Sequence, residues 1–101
     1  MVRQAMIKDI AAWIAERHLP AFVIYLPSRD DLLAQQDDSL YRIEAQRFAQ
    51  AIGATFYDSS SLYAGMSEVN IRAHFLPYDG HWNLAGSDLL ATYVLRLIQA
   101  N

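Results

Sequence analysis

The chain has 101 residues, no cysteine, a hydrophobic share of 53% with 12% aromatic residues, and a formal net charge of −3. Such a length fits one domain, which by surface scaling can bury roughly 65% of the area its unfolded chain exposes, and the composition excludes disorder. The eight basic residues are scattered, which argues against a nucleic-acid partner, and the lack of cysteine excludes disulfides, a thiolate nucleophile and cysteine metal sites while leaving the redox compartment undetermined.

From about Gln4 to His18, apolar Met6, Ile10, Trp13 and Ile14 recur at helical spacing, with Lys8, Asp9, Glu16 and Arg17 elsewhere on the wheel. This predicts an amphipathic helix. Its charges, and the absence of any apolar run approaching about 18 residues, lead us to expect neither a signal peptide, nor an anchor, nor a transmembrane span. His18-Leu19-Pro20 ends the helix, because proline lacks an N–H and pushes the residue before it out of the helical region. AFVIYL, Ala21 to Leu26, is a continuous apolar run, the pattern of a parallel strand covered on both faces, and Pro27 stops it.

PSRDDLLAQQDD reads as a polar connector. A second helix is predicted from about Ser39 to Ile52, with Tyr41, Ala45, Phe48, Ala49 and Ile52 on one face, Asp38 or Ser39 as its cap and Gly53 as the left-handed residue that closes it. ATFYD, Ala54 to Asp58, reads as another strand. From Ser59 to Ala73 the pattern is weak: SSSLYAGM fits one or two helical turns, and SEVNIRA a loop with a helical start. A third strand can lie near His74 to Leu76. Asn83 then caps a last helix in which Leu90, Tyr93, Val94 and Leu97 repeat at helical spacing.

Strands alternating with helices define an α/β class, here a small parallel sheet of two to three strands flanked by helices. A sheet so thin has open edges, so the chain reads as part of a larger sheet or as one that pairs with another copy of itself.

The stretch FLPYDGHWNLAGSDLL holds the chemistry. In Asp79-Gly80-His81 the glycine lets the backbone turn sharply, so the Asp79 carboxylate can swing back onto the Nδ1–H of His81 and fix its tautomer. Nε2 is then free to take a proton from a hydroxyl, the base half of a catalytic triad. Gly86, in the first turn of the last helix, permits close packing beneath this histidine, and a loop entering a helix beside strand ends is where open α/β sheets place active sites. The same three residues also spell a capped turn with a solvated imidazole, and spacing leaves both readings open.

YDGHWNLAGSDLLATYVLRLI resembles the C-terminal block of the SGNH (GDSL-type) serine hydrolases, in which Asp and His, then an aromatic, Asn and Gly, lead into the last helix. Upstream, AFVIYLPSR resembles the strand and proline of that family's later sheet, and GATFYDSSSLY its next strand and trailing Asp. These segments also resemble the related O-acetyltransferases of bacterial polysaccharides, with their Pro-Ser/Thr-Arg/Lys turn and Asp-x-His-Trp motif. The resemblance implies half of a three-layer α/β/α, flavodoxin-like fold, with His81 as catalytic base, Asp79 as its orienting acid and no cofactor. The Gly-Asp-Ser nucleophile and the oxyanion-hole blocks of the family do not occur.

Local serines offer weak substitutes. Ser28 follows the first strand, but a Pro-Ser-Arg-Asp turn normally engages the hydroxyl with local backbone, and Ser59, Ser60 and Ser61 read as a helix cap or loop. His74, His81, Asp58 and Asp79 lack the i, i+4 spacing of helical metal ligands, and no HExxH occurs. His18, in a last helical turn, suits the helix dipole. Trp82, with Tyr78 and Phe75, can line an acyl or sugar pocket or simply pack, and Arg29 can bind a carboxylate or sugar or sit solvated in its turn.

Two readings follow. In the first, the chain is the C-terminal part of an SGNH-type ester hydrolase or O-acetyltransferase, inactive alone, that acts on an acetylated carbohydrate or lipid with Trp82 and Arg29 near the substrate. In the second, it is a non-catalytic α/β interaction module that forms a homo-oligomer through its open sheet edge.

Overall fold

The computed structural model describes residues 4–35 and 39–100. Its elements in chain order are helix α1 (Gln4–Arg17), strand β1 (Phe22–Tyr25), helices α2 (Arg29–Ala34) and α3 (Leu40–Ile52), strand β2 (Thr55–Asp58), a 3-10 helix (Ser59–Tyr63), and helices α4 (Glu68–Arg72) and α5 (Leu84–Gln99). The fold is mixed α/β, a two-stranded parallel sheet with helices. The described residues fall into two compact units, one of 4–25 and 39–58, the other of 26–35 and 59–100.

The first unit holds the sheet. β1 and β2 run parallel, pairing Phe22 with Thr55 through to Tyr25 with Asp58. α3 packs against both strands and α1 packs on α3. Arg42 of α3 donates from Nε to Asp58 Oδ2 at 2.6 Å, tying the helix to the end of β2. Tyr25, Ala49 and Ile52 are buried. The apolar run of β1 is less covered than its sequence predicts, however: Phe22, Val23 and Ile24 are only half-buried, and among the described residues of this unit α3 is the helix that packs on the strands.

Both helices of this unit end in the same motif. Gly53, at φ 75°, sends its N–H to Gln50 O while Ala54 N–H reaches Ala49 O, the paired bonds that satisfy orphan carbonyls at a helix end. At the end of α1, His18 takes the equivalent left-handed place at φ 50°, with its N–H on Ala15 O and Leu19 N–H on Ile14 O. His18 is therefore the residue beyond the helix rather than a member of its last turn. Arg17 serves that end instead, donating to Trp13 O at 3.2 Å with its guanidinium carbon 4.3 Å from the Trp13 ring centroid. At the other helix, Ser39 is the N-cap residue but makes no side-chain cap bond, and Asp38 lies outside the described residues.

The second unit is helical, and its core is Tyr63, Ile71 and Phe75, with Leu32, Leu33, Leu62, Met66, Trp82 and Leu89 packed around them. The polar connector contains α2, whose N-cap Ser28 accepts the Asp31 N–H at 3.0 Å. Ser67 caps α4 in the same way, from Asn70 N–H at 3.2 Å. No strand forms at His74 to Leu76. Phe75 makes one isolated antiparallel bridge with Trp82, since the chain turns back within six residues and each limb then enters or leaves a helix. Among the described residues no helix is long and apolar enough to cross a membrane.

Candidate active site

Residues 76–81 form a tight loop between the bridged Phe75 and Trp82, closed by a 2.7 Å bond from Leu76 N–H to His81 O. Its far end turns at Gly80, whose φ of 74° favours a residue without a side chain. Within this loop Asp79 and His81 meet as their spacing suggests. Asp79 Oδ1 accepts the His81 backbone N–H at 3.1 Å and stands 3.3 Å from His81 Nδ1. The His81 backbone N–H holds the Asp79 carboxyl below its usual range; partial desolvation opposes it, and the side chain and charge of His81 add to the lowering.

The carboxylate can thus keep Nδ1 protonated and leave Nε2 as a proton acceptor. Both groups are open to solvent, the side chain of His81 at 76% and that of Asp79 at 58% exposure. Such exposure lets water or an incoming hydroxyl reach Nε2, and it weakens the electrostatic hold of the acid on the base by screening.

Asn83 secures the loop to the helix behind it. Its Oδ1 accepts the Gly86 N–H at 3.0 Å, capping α5 as its residue type suggests. Its Nδ2 also donates to Ala73 O at 2.7 Å, and its backbone N–H reaches His74 O at 3.2 Å, so one side chain joins the end of α4 to the start of α5. Gly86 does allow close packing, but beneath a different histidine: a Cβ there would strike the backbone carbonyl of His74 and the Trp82 ring.

Trp82 is half-buried in the core of this unit, its ring 5.9 Å from that of Phe75 and its indole hydrogen-bonded to the Tyr63 side chain. Burial raises the Tyr63 pKa and the Trp82 bond opposes that rise. Trp82 also lines an open apolar groove of about 460 Å³ along α5, with Leu90, Val94, Leu95 and Ile98. Tyr78, at 98% exposure, touches little.

Arg29 departs from the solvated turn arginine. Its side chain is 18% exposed, and Nη1 donates to the carbonyls of Leu76 at 3.1 Å and Pro77 at 3.3 Å. Its placement is therefore within the loop that carries Asp79 and His81, 47 residues along the chain.

The other candidates are engaged elsewhere. Ser28 Oγ caps α2, and Ser59, 2% exposed, opens the 3-10 helix with Ser60 and Ser61. His74 donates from Nδ1 to Asn70 O at 2.7 Å and meets Tyr63 edge to face. Among the described residues no group of three or more His, Asp or Glu side chains is placed to hold a metal ion. The two roles invisible to residue type alone are those of Arg29 and the Asn83 amide nitrogen, both made by contacts to backbone carbonyls. The helix α2 did have a local signal in Ser28-Arg-Asp-Asp31, a hydroxyl followed three residues later by an acid.

Comparison of the chain with family models, curated proteins and solved structures gave no match.

Proposed function

We propose that the chain is the base-carrying C-terminal part of an SGNH-type serine ester hydrolase or O-acetyltransferase that acts on an ester such as an acetylated carbohydrate or lipid. The observation that carries this reading is Asp79 Oδ1 3.3 Å from His81 Nδ1, on a loop leading directly into the last helix. His81 takes the proton of a serine hydroxyl as general base and returns it to the leaving alcohol as general acid, while Asp79 orients the ring and stabilises the imidazolium. The serine and the oxyanion donors come from another stretch of polypeptide. The 101-residue chain alone then offers no covalent route and no stabilisation of the tetrahedral oxyanion.

The test has two arms. The purified chain is expected to turn over no p-nitrophenyl acetate. A longer protein that joins it to a Gly-Asp-Ser block is expected to hydrolyse that ester, and His81→Ala is expected to reduce turnover by about 10²- to 10⁴-fold. Turnover by the short chain that is lost in His81→Ala contradicts the need for a second half. Full activity of His81→Ala in the longer protein removes His81 from the chemistry.

The outer surface of α5 favours a second reading, a non-catalytic module that self-associates. Leu95 and Ile98 are more than half exposed beside the groove that Trp82, Leu90 and Val94 line. On this reading light scattering shows a dimer or larger species, and His81→Ala leaves the association unchanged. A monomer at all concentrations counts against it.

A further inference from the structure

We propose that Arg29 is a positioning residue for the Asp79–His81 pair, its guanidinium bracing the loop on which the acid meets the imidazole; this rests on the reading of that pair as acid and base. Nη1 holds two successive carbonyls, Leu76 O and Pro77 O, where the loop leaves the core. On the returning limb the guanidinium faces Gly80, between Asp79 and His81: a Cβ built there would stand 3.8 Å from Arg29 Cζ and Nη2. One planar group thus holds one limb and stands beside the other.

The rest of Arg29 is fixed as well. It opens α2, directly after the N-cap Ser28, so its backbone is set by the capped first turn. Its ion pair with Asp30 contributes little, because Asp30 is 84% exposed and the contact is 3.4 Å. The carbonyl bonds, made by a side chain that is 18% exposed, are the anchoring ones.

The Asp79–His81 contact is sensitive to such bracing. At 3.3 Å it lies just beyond the usual range of about 2.7–3.2 Å for an N–H···O bond, so a few tenths of an ångström decide whether the carboxylate orients the imidazole. Its two partners are separated only by Gly80, the least restricted residue. A planar fork can hold two adjacent carbonyls at once, whereas the ammonium of lysine is a point charge on a flexible stem.

The experiment uses the isotope-labelled 101-residue chain and reads, by NMR, the titration midpoint of the Asp79 carboxyl carbon and the exchange rate of the His81 amide. In Arg29→Ala the Asp79 midpoint is expected to rise toward the ordinary aspartate value. The His81 amide should exchange roughly tenfold faster, the scale of one lost hydrogen bond, while amides of α5 keep their rates. Arg29→Lys should give intermediate values. A folded Arg29→Ala chain with parental midpoint and parental His81 exchange overturns the proposal, as does a general loss of stability that leaves the Asp79 midpoint in place. If Arg29→Ala does not fold, Arg29→Lys decides: intermediate values support the proposal, and parental values overturn it. No substrate enters these measurements, so they stand apart from the ester chemistry. A parental midpoint beside an active completed enzyme refutes only the role of Arg29, and a shifted midpoint beside an inactive one refutes only the function.

Discussion

One carboxylate oxygen joins Asp79 to His81 twice: Oδ1 accepts the His81 backbone N–H at 3.1 Å and lies 3.3 Å from the ring Nδ1. The turn and the orientation of the base therefore depend on the same atom, but only the second requires charge. An asparagine keeps an oxygen for the backbone N–H and loses the charge. We expect Asp79→Asn to preserve the turn, seen as an unchanged His81 amide shift, while Asp79→Ala loses it. In a completed enzyme Asp79→Asn should lower kcat by about 10²-fold or more without changing KM, since orientation of the base is felt in the transition state.

The same bonds set a pH dependence. The folded-state value of Asp79 lies below the unfolded one, so its contribution to the loop is complete above the ordinary aspartate range, about 3.9. It is lost as the pH falls through the lower, folded value. A carboxyl-carbon titration should give a midpoint below that of an aspartate in an unstructured peptide, and His81 amide exchange, corrected for its intrinsic rate, should lose protection only in that acidic window. A midpoint at or above the peptide value would falsify the paired geometry.

The two helix ends that share one motif make a matched pair of predictions. His18 occupies the left-handed position at φ 50° with a side chain, Gly53 at φ 75° without one, and a Cβ at Gly53 would meet nothing within 4 Å. Conformation alone is then at stake. His18→Gly should stabilise the fold by about 0.5–1 kcal/mol and Gly53→Ala should destabilise it by a similar amount. Thermal unfolding should register each as a shift of several degrees, in opposite directions, for a domain near 100 residues.

These local features are also the ones legible in the sequence. Asn83 as a cap, Gly53 as a helix end and Ser28 as a turn hydroxyl follow from interactions within a few residues, and the strands over Phe22–Tyr25 and Thr55–Asp58 from short apolar runs, their parallel pairing across 33 residues from the helix that joins them. The Asp79–His81 contact belongs with them, since only Gly80 intervenes. What was not legible depends on distant partners. Arg29 finds its carbonyls 47 and 48 residues away, and no periodicity announces such a bond. The His74 to Leu76 segment has strand-like residues but, among the described residues, one bridging partner, Trp82. The apolar run of β1 promised two covering layers because hydrophobicity records what a strand tolerates, not which layers are present.

Asn83 separates the cost of a cap from that of a staple. Asn83→Asp keeps the oxygen that accepts the Gly86 N–H and adds a charge favourable to a helix start, yet it removes the donor to Ala73 O. Asn83→Ser keeps a cap oxygen too short to reach those carbonyls. Both should destabilise by about 0.5–1.5 kcal/mol, the net worth of one hydrogen bond to an exposed carbonyl, and Asn83→Ala should add about 1 kcal/mol for the lost cap. Denaturant unfolding monitored by Trp fluorescence measures all three. Equal stability of Asn83→Asp and the parent would show that the Ala73 bond contributes nothing.

Gly86 sets two opposing effects against each other. In an exposed helix, Gly→Ala stabilises by about 1 kcal/mol because alanine loses less backbone freedom. Gly86 is buried, and its added Cβ would strike the His74 backbone carbonyl, which cannot swing aside as a side-chain tip can, with the Trp82 ring 2.9 Å away. That carbonyl also accepts the Asn83 N–H, so moving it disturbs the entry to α5 and the packing of Trp82 on Phe75. Overpacking of this kind costs about 1–3 kcal/mol, and here it falls on backbone, so it outweighs the gain in propensity. Gly86→Ala should therefore lower the unfolding midpoint and shift the Trp82 indole resonance, whereas Gly65→Ala, with nothing within 4 Å of its Cβ, should carry only the strain of its φ of 79° and leave Trp82 unmoved. A Gly86→Ala chain as stable as the parent would mean that α5 can lift away from His74 without loss, and that the close approach does not hold the Asp79–His81 loop in place.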